Sequence, residues 1–95
     1  MSIVVRYSPD PPASKEQYDK STELFSSKFG KGFIPDGCEM HVAFLDSNGN
    51  IRVSEIWDSR EQFDAFGERL MPVLKDVGIE PGKPEMLEIH NIIKR

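Results

Sequence analysis

IRVSEIWDSREQFDAF, residues Ile51 to Phe66, decides the fold. It reads as a strand that runs almost directly into a helix. Ile51, Val53, Ile56 and Trp57 are β-branched or aromatic, the residue types that suit a pleated, half-buried surface. Asp58 breaks the run. Ser59 opens a helix as its N-cap, with Gln62 three residues on, where a capping-box partner belongs. Phe63, Phe66, Leu70, Leu74 and Val77 follow at helical spacing and make one apolar face. Side chains alternate along a strand, so Glu55 and Trp57 share a face. A carboxylate and a tryptophan side by side, on a strand that packs against its own helix, are the most informative local feature of the chain.

The flanking sequence repeats this grammar. Ser14-Lys15-Glu16-Gln17-Tyr18-Asp19 matches Ser59-Arg60-Glu61-Gln62-Phe63-Asp64 in chemical type at each position. Tyr18, Thr22, Phe25 and Phe29 continue the first hexad at i, i+4, i+7 and i+11, and Gly30 and Gly32 stop that helix. Ile3 to Tyr7 reads as a first strand ended by Pro9, Pro11 and Pro12. Glu39 to Leu45 reads as a second strand. Asp46 to Asn50 forms a hairpin loop around Asn48-Gly49, and Ile51 to Trp57 is the third strand. Pro72 predicts a kink or break of the second helix near Leu70–Met71, and Gly78 ends that helix. Met86 to Ile93 reads as a fourth strand.

The order is β-α-β-β-α-β over residues 1–95 as one domain. It is the split-βαβ, ferredoxin-like arrangement: an α+β fold with a four-stranded antiparallel sheet and two helices on one face. If Asp46 pairs with Ile51, Val42 lies opposite Glu55 and Met40 opposite Trp57. Met40, Val42, Phe44, Val53, Glu55 and Trp57 then face the helices. His41, Leu45, Arg52, Ser54 and Ile56 fall on the bare face, joined by apolar residues of the fourth strand. A bare apolar face calls for a partner, and a second copy of the chain is the simplest one.

Composition excludes several functions. The 95 residues carry a net charge of −4 with no basic stripe, which argues against nucleic acid. No apolar run reaches membrane-spanning length, and MSIVVRYSPD at the start is too short and too charged for a signal peptide. The lone Cys38 forms no internal disulfide and fits a reducing compartment. A cytoplasmic protein, with no membrane or nucleic-acid partner, is expected.

With these elements in place, the chain resembles the dimeric α/β-barrel superfamily, and within it small proteins related to antibiotic-biosynthesis monooxygenases. The resemblance is carried by His41-Val42-Ala43 and by the run from Val53 to Phe66 with its Glu-x-Trp-x-Ser-x-Glu-x-Phe pattern. Pro72, Leu74 and Gly78, and the closing His90-Asn91, add to it. It implies a homodimer whose two sheets close into a barrel, and a cleft in each subunit between sheet and helices. Some members oxidise polycyclic aromatic substrates with oxygen and no cofactor, in pockets lined by residues such as Asn, Trp and Arg; others degrade haem. Two departures stand out. The first strand ends in Tyr7 and Ser8, without the asparagine often found there. The helix from Arg60 to Val77 has no histidine for a haem.

The candidate catalytic residues are therefore Glu55, Trp57 and His41. Tyr7, Phe44, Phe66 and His90 are candidates to line a pocket for an apolar or aromatic small molecule, and no cofactor or metal is expected. Each has a structural alternative. Trp57 could stack on a ligand or fill the core. Glu55 could be a base or polar anchor, or could pair with Arg6 or Arg52. His41 and His90 could be hydrogen-bonded structural residues. With Glu55 they carry no recognised metal-ligand spacing. Cys38 reads as an inert thiol, with no basic neighbour to activate it. A cleft filled by Phe25, Phe29, Phe63 and Phe66 would leave only a structural dimer.

Overall fold

The computed structural model describes residues 2–95; Met1, the first residue of the segment weighed above as a leader, lies outside them. The elements run β1 (Ile3–Tyr7), α1 (Lys15–Phe29), β2 (Cys38–Leu45), β3 (Ile51–Trp57), α2 (Arg60–Asp76) and β4 (Glu85–Glu88). The strands form one antiparallel sheet in the order β2-β3-β1-β4, the ferredoxin-like arrangement. β1 and β3 lie in the centre. Val5, Trp57, Phe63 and Phe66 make the main core, with Phe25 of α1 packed against it, so both helices cover the same sheet face.

The two helix starts behave as their shared hexad requires. Ser14 Oγ accepts from the Gln17 amide at 3.1 Å, and Gln17 Oε1 accepts from the Ser14 amide at 3.0 Å, a complete capping box. Ser59 Oγ accepts from the Gln62 amide at 3.2 Å, but the Gln62 side chain meets the Ser59 hydroxyl instead of its amide. The repeat is thus half kept. α2 runs unbroken through Pro72, against the expected break. Pro72 lies on the exposed side, where the carbonyl that proline leaves unpaired can meet water, while buried Phe66 and Val73 hold the apolar face on either side.

The strand register differs by one residue from the sequence reading. Leu45 pairs with Ile51, so His41 lies opposite Glu55 and Val42 opposite Ser54. The cause is the turn at Asp46, which closes on Asn50 rather than on Ile51. The Asp46 amide donates to the Asn50 carbonyl at 2.9 Å and its carbonyl accepts from the Gly49 amide at 2.9 Å, while its carboxylate accepts from the Asn48 amide at 2.8 Å and the Asn50 amide at 3.1 Å. Those amides, the Asn50 one chiefly, together with Arg52 hold its carboxyl below the usual range. A one-residue shift turns every side chain of a strand over. His41 and Ala43 therefore face the helices. Met40, Val42 and Phe44 face away, correcting the assignment made from sequence.

A β-bulge then resets the start of β2. Cys38 lies opposite Trp57 and Met40 opposite Ile56, with Glu39 as the extra residue. The bulge expels Glu39 from the position facing Trp57, where its carboxylate would otherwise be driven into the core. β4 is shorter than expected, ending at Glu88 rather than Ile93. Met86 joins the helix-covered face opposite Val5, and Leu87 joins the open face opposite Val4. Met40, Ile56, Val4 and Leu87 thus form one apolar row across all four strands of that open face. Among the described residues no helix is long and apolar enough to cross a membrane.

Trp57 anchors this arrangement. It is 0% exposed, with Phe63 edge-on at 5.6 Å and Phe66 at 5.8 Å between ring centroids. Trp57→Ala is expected to destabilise the fold by about 3–5 kcal/mol, read as a lower urea midpoint. An unchanged midpoint would contradict this packing role.

Candidate functional site

The helix-covered face of β2 and β3 carries a chain of polar side chains through an apolar surrounding. Trp57 Nε1 donates to Glu55 Oε1 at 3.0 Å. His41 Nδ1 meets Glu55 Oε2 at 2.6 Å, and His41 Nε2 meets the Tyr18 hydroxyl at 2.8 Å. A carboxylate can only accept, so Nδ1 donates to Glu55; with the ring neutral, Nε2 is left to accept from the Tyr18 O–H. The Tyr18 ring also lies nearly parallel to the imidazole. Glu55 is 6% exposed. A carboxylate at that depth is costly unless donors surround it, and here each oxygen has one.

Neither arginine weighed as a partner reaches Glu55. Arg6 pairs with Glu85 at 3.6 Å, and Arg52 with Asp46 at 3.0 Å. Both stand on the open face, because their strand positions have the other parity. Glu55 turned inward is left to Trp57, two residues along the same strand, and to His41 across the ladder.

Beside this chain lies a cavity of about 480 Å³ between sheet and helices. Phe25, Phe66, Leu70 and Leu74 line it from the helices. Tyr7, Val53, His41 and Glu55 line it from the sheet. Phe33, Pro35, Pro9 and Pro81 close its loop sides. The cleft is therefore open, although Phe25 and Phe66 border it and Phe63 packs on Trp57 instead. No lysine or arginine lines it. Among the described residues no group of three or more His, Cys, Asp or Glu side chains is gathered as a metal site.

Of the residues singled out in the sequence, the structure brings Glu55, His41, Tyr7 and Phe66 to this cavity. Trp57 is fully buried and borders none of it, so it reaches the site only through its bond to Glu55. Phe44 stands on the opposite sheet face, 41% exposed, because of the Asp46 register. His90 lies beyond the end of β4, exposed and away from the cavity, since the ladder that would have carried it inward stops at Glu88. Tyr18 went unnoticed as part of the helix's apolar stripe. The available signal was its hydroxyl, which a half-buried tyrosine must pair.

Burial raises the hydroxyl pKa values of both Tyr7 and Tyr18, and the negative charge of Glu55 adds to each shift. Both stay protonated at neutral pH. The Cys38 thiol at the cavity wall is pushed up to about 11, by burial first and by Glu55 second.

No family profile matches the chain, and no curated protein does. Solved structures do match. A candidate antibiotic biosynthesis monooxygenase from Deinococcus radiodurans is 18% identical, with 100% of this chain and 98% of that one covered at a TM-score of 0.60. A point variant of SnoaB, a cofactor-independent oxygenase from Streptomyces nogalater, is 8% identical, with 99% and 96% covered at 0.63. A protein of unknown function from Nitrosomonas europaea is 13% identical, with 99% and 92% covered at 0.56. The fold is therefore that of the antibiotic-biosynthesis-monooxygenase-like proteins, as the sequence resemblance implied.

The raised thiol has a measurable consequence. At pH 7.5 the native protein should react with iodoacetamide about 100-fold more slowly than the urea-unfolded chain, since the thiolate is the reacting form. The rate should climb until about pH 11. The folded value lies above the unfolded one. The stability linked to Cys38 is therefore fully present below about pH 9 and lost as pH rises toward 11. Equal alkylation rates in the native and unfolded protein at pH 7.5 would refute the burial of this thiol.

Proposed function

We propose that the chain binds a flat, largely apolar small molecule in the cavity between sheet and helices. We further propose that it acts on that molecule in the manner of a cofactor-independent monooxygenase. The observation that carries this reading is the Tyr18–His41–Glu55 chain set into the wall of an otherwise apolar cavity. A void of that size in a small domain is a stability cost unless something occupies it. A buried carboxylate with an imidazole on it is a costly ornament for a purely structural core. The likeness in fold to SnoaB, a cofactor-independent oxygenase, supports the reaction class.

A second reading, ligand binding without turnover, is favoured by one feature of the sequence. β1 ends in Tyr7 and Ser8 rather than an asparagine. A thermal-shift screen against quinones, naphthols, flavins and haem tests both, because a ligand that binds only the folded state raises its melting temperature. Quinones or naphthols should stabilise, and haem and flavins should not. Oxygen uptake with a stabilising compound supports the enzyme; stabilisation without uptake supports the binder. A screen in which nothing stabilises counts against both.

The partner we propose is a second copy of the chain, docked through the open sheet face. Met40, Val42, Phe44 and Leu87 are each more than 40% exposed there. With Val4 and Ile56 they form one contiguous apolar face, and a two-fold axis would cover both copies at once. The wild-type chain should sediment at twice its monomer mass at micromolar concentration. Val42→Lys, which places a charge between Met40 and Phe44 on the edge strand of that face, should shift it to monomer. A monomeric wild type would end the dimer reading.

A further inference from the structure

The cavity between sheet and helices has an open side and, beside it, a segment hinged at both ends. Resting on the reading of that cavity as a ligand site, we infer that residues 30–37, the connection from α1 to β2, form a lid that closes over the occupied cavity, with Ile34 as the side chain that seals it.

The open side lies where α1 and β2 part. Thr22 on the helix and Glu39 and His41 on the strand line the cavity there and are exposed. Ile34 borders the same cavity and is 70% exposed. An aliphatic side chain left in water at the rim of an apolar cavity is stabilised by folding over whatever fills it.

The ends of the segment are fixed and its middle is not. The Gly30 amide donates to the Ser26 carbonyl at 2.9 Å, and the Gly37 carbonyl accepts from the Asp58 amide at 2.8 Å. Between these points the backbone bonds are local: the Phe33 amide donates to the Gly30 carbonyl at 3.3 Å, and the Cys38 amide to the Pro35 carbonyl at 3.0 Å. Gly30 and Gly32 have φ of 102° and 78°, a region glycine enters freely. A Cβ on either would meet nothing within 4 Å, so backbone freedom rather than space makes them glycines. Such positions serve as hinges. One side chain holds the middle down. The Phe33 ring lies 5.7 Å from Phe29 and 5.8 Å from Phe25, and the Arg69 guanidinium covers Phe33 at 5.5 Å and Phe29 at 4.5 Å. Phe33 is thus the pivot, and Ile34, next in the chain, is the tip. Closure takes Ile34 and the outer edge of a flat apolar ligand out of water together, and keeps water from the cavity while the ligand is held.

The test uses Nile red, a neutral flat dye whose fluorescence rises in apolar surroundings, with the full chain. Stopped-flow mixing should show one phase that quickens linearly with dye and a slower one whose rate reaches a plateau, the mark of closure after binding. Ile34→Ser alters an exposed side chain, so the fold survives it. It should keep the first phase, lose the second, and release the dye roughly tenfold faster. Ile34→Val should keep both phases. In hydrogen exchange the dye should slow the amides of residues 31–34 roughly tenfold in the wild type and leave them unchanged in Ile34→Ser. Bound dye with a single phase and unprotected amides overturns the lid and leaves the pocket standing. Faster release from Ile34→Ser with the second phase kept makes Ile34 a contact on a rigid rim, and also overturns the lid. A dye that fails to bind, or binds equally well once Leu74→Trp has filled the cavity, overturns the pocket reading and the lid with it.

Discussion

The buried carboxylate of Glu55 is the constraint on which the rest of this structure depends. It sits on the central part of the sheet under both helices, where an unpaired charge would cost several kcal/mol. Three separate elements meet there to make it tolerable. β3 supplies Trp57, whose indole fills the core and whose N–H binds one oxygen. β2 supplies His41 for the other. α1 supplies Tyr18 to fix the far side of the imidazole. Removing Trp57 or His41 leaves a carboxylate oxygen of buried Glu55 without its partner, so fold and site cannot be tuned independently here.

That meeting depends on a residue outside the site. Asp46 binds the backbone of its own loop, and in doing so sets which side chain of β2 stands opposite Glu55. Were Asp46 paired with Ile51 instead of Asn50, Val42 would face Glu55, and His41 would point to the open face. The bulge at Glu39 is a second adjustment of the same kind, placing Cys38 rather than a carboxylate over Trp57. Both are one-residue effects with whole-strand consequences, because the side-chain period of a strand is two.

This explains what could be read in the sequence and what could not. Element order, helix starts, the inward pair Glu55 and Trp57 and the ferredoxin-like arrangement follow from local signals: caps at Ser14 and Ser59, alternation from Ile51, and the Asn48-Gly49 turn. Those signals act within a few residues. The facing of β2 does not, since it depends on how many residues the loop takes, and Asn48-Gly49 is compatible with both four and five. That single difference takes Phe44 to the open face and brings His41 to the covered one. Tyr18 was hidden because a tyrosine in an apolar helical stripe looks like core until its hydroxyl partner is known. His90 failed for a third reason: how far a strand continues depends on pairing with β1, and β1 itself is only five residues long.

The corrected register also redistributes polarity between the two sheet faces. With Met40, Val42 and Phe44 turned outward, the open face gains an apolar row that His41 would otherwise have interrupted. The covered face gains the imidazole. The same half-turn of β2 thus makes the outer surface more suited to association and the inner surface more suited to chemistry. Neither change is possible without the other, because each residue moved out of the cavity wall is replaced by its neighbour in the chain. Substituting Asp46 should therefore act on both faces at once if the register slips. Loss of the His41–Glu55 pair would then be accompanied by a less apolar outer sheet, though no residue of either face had been changed.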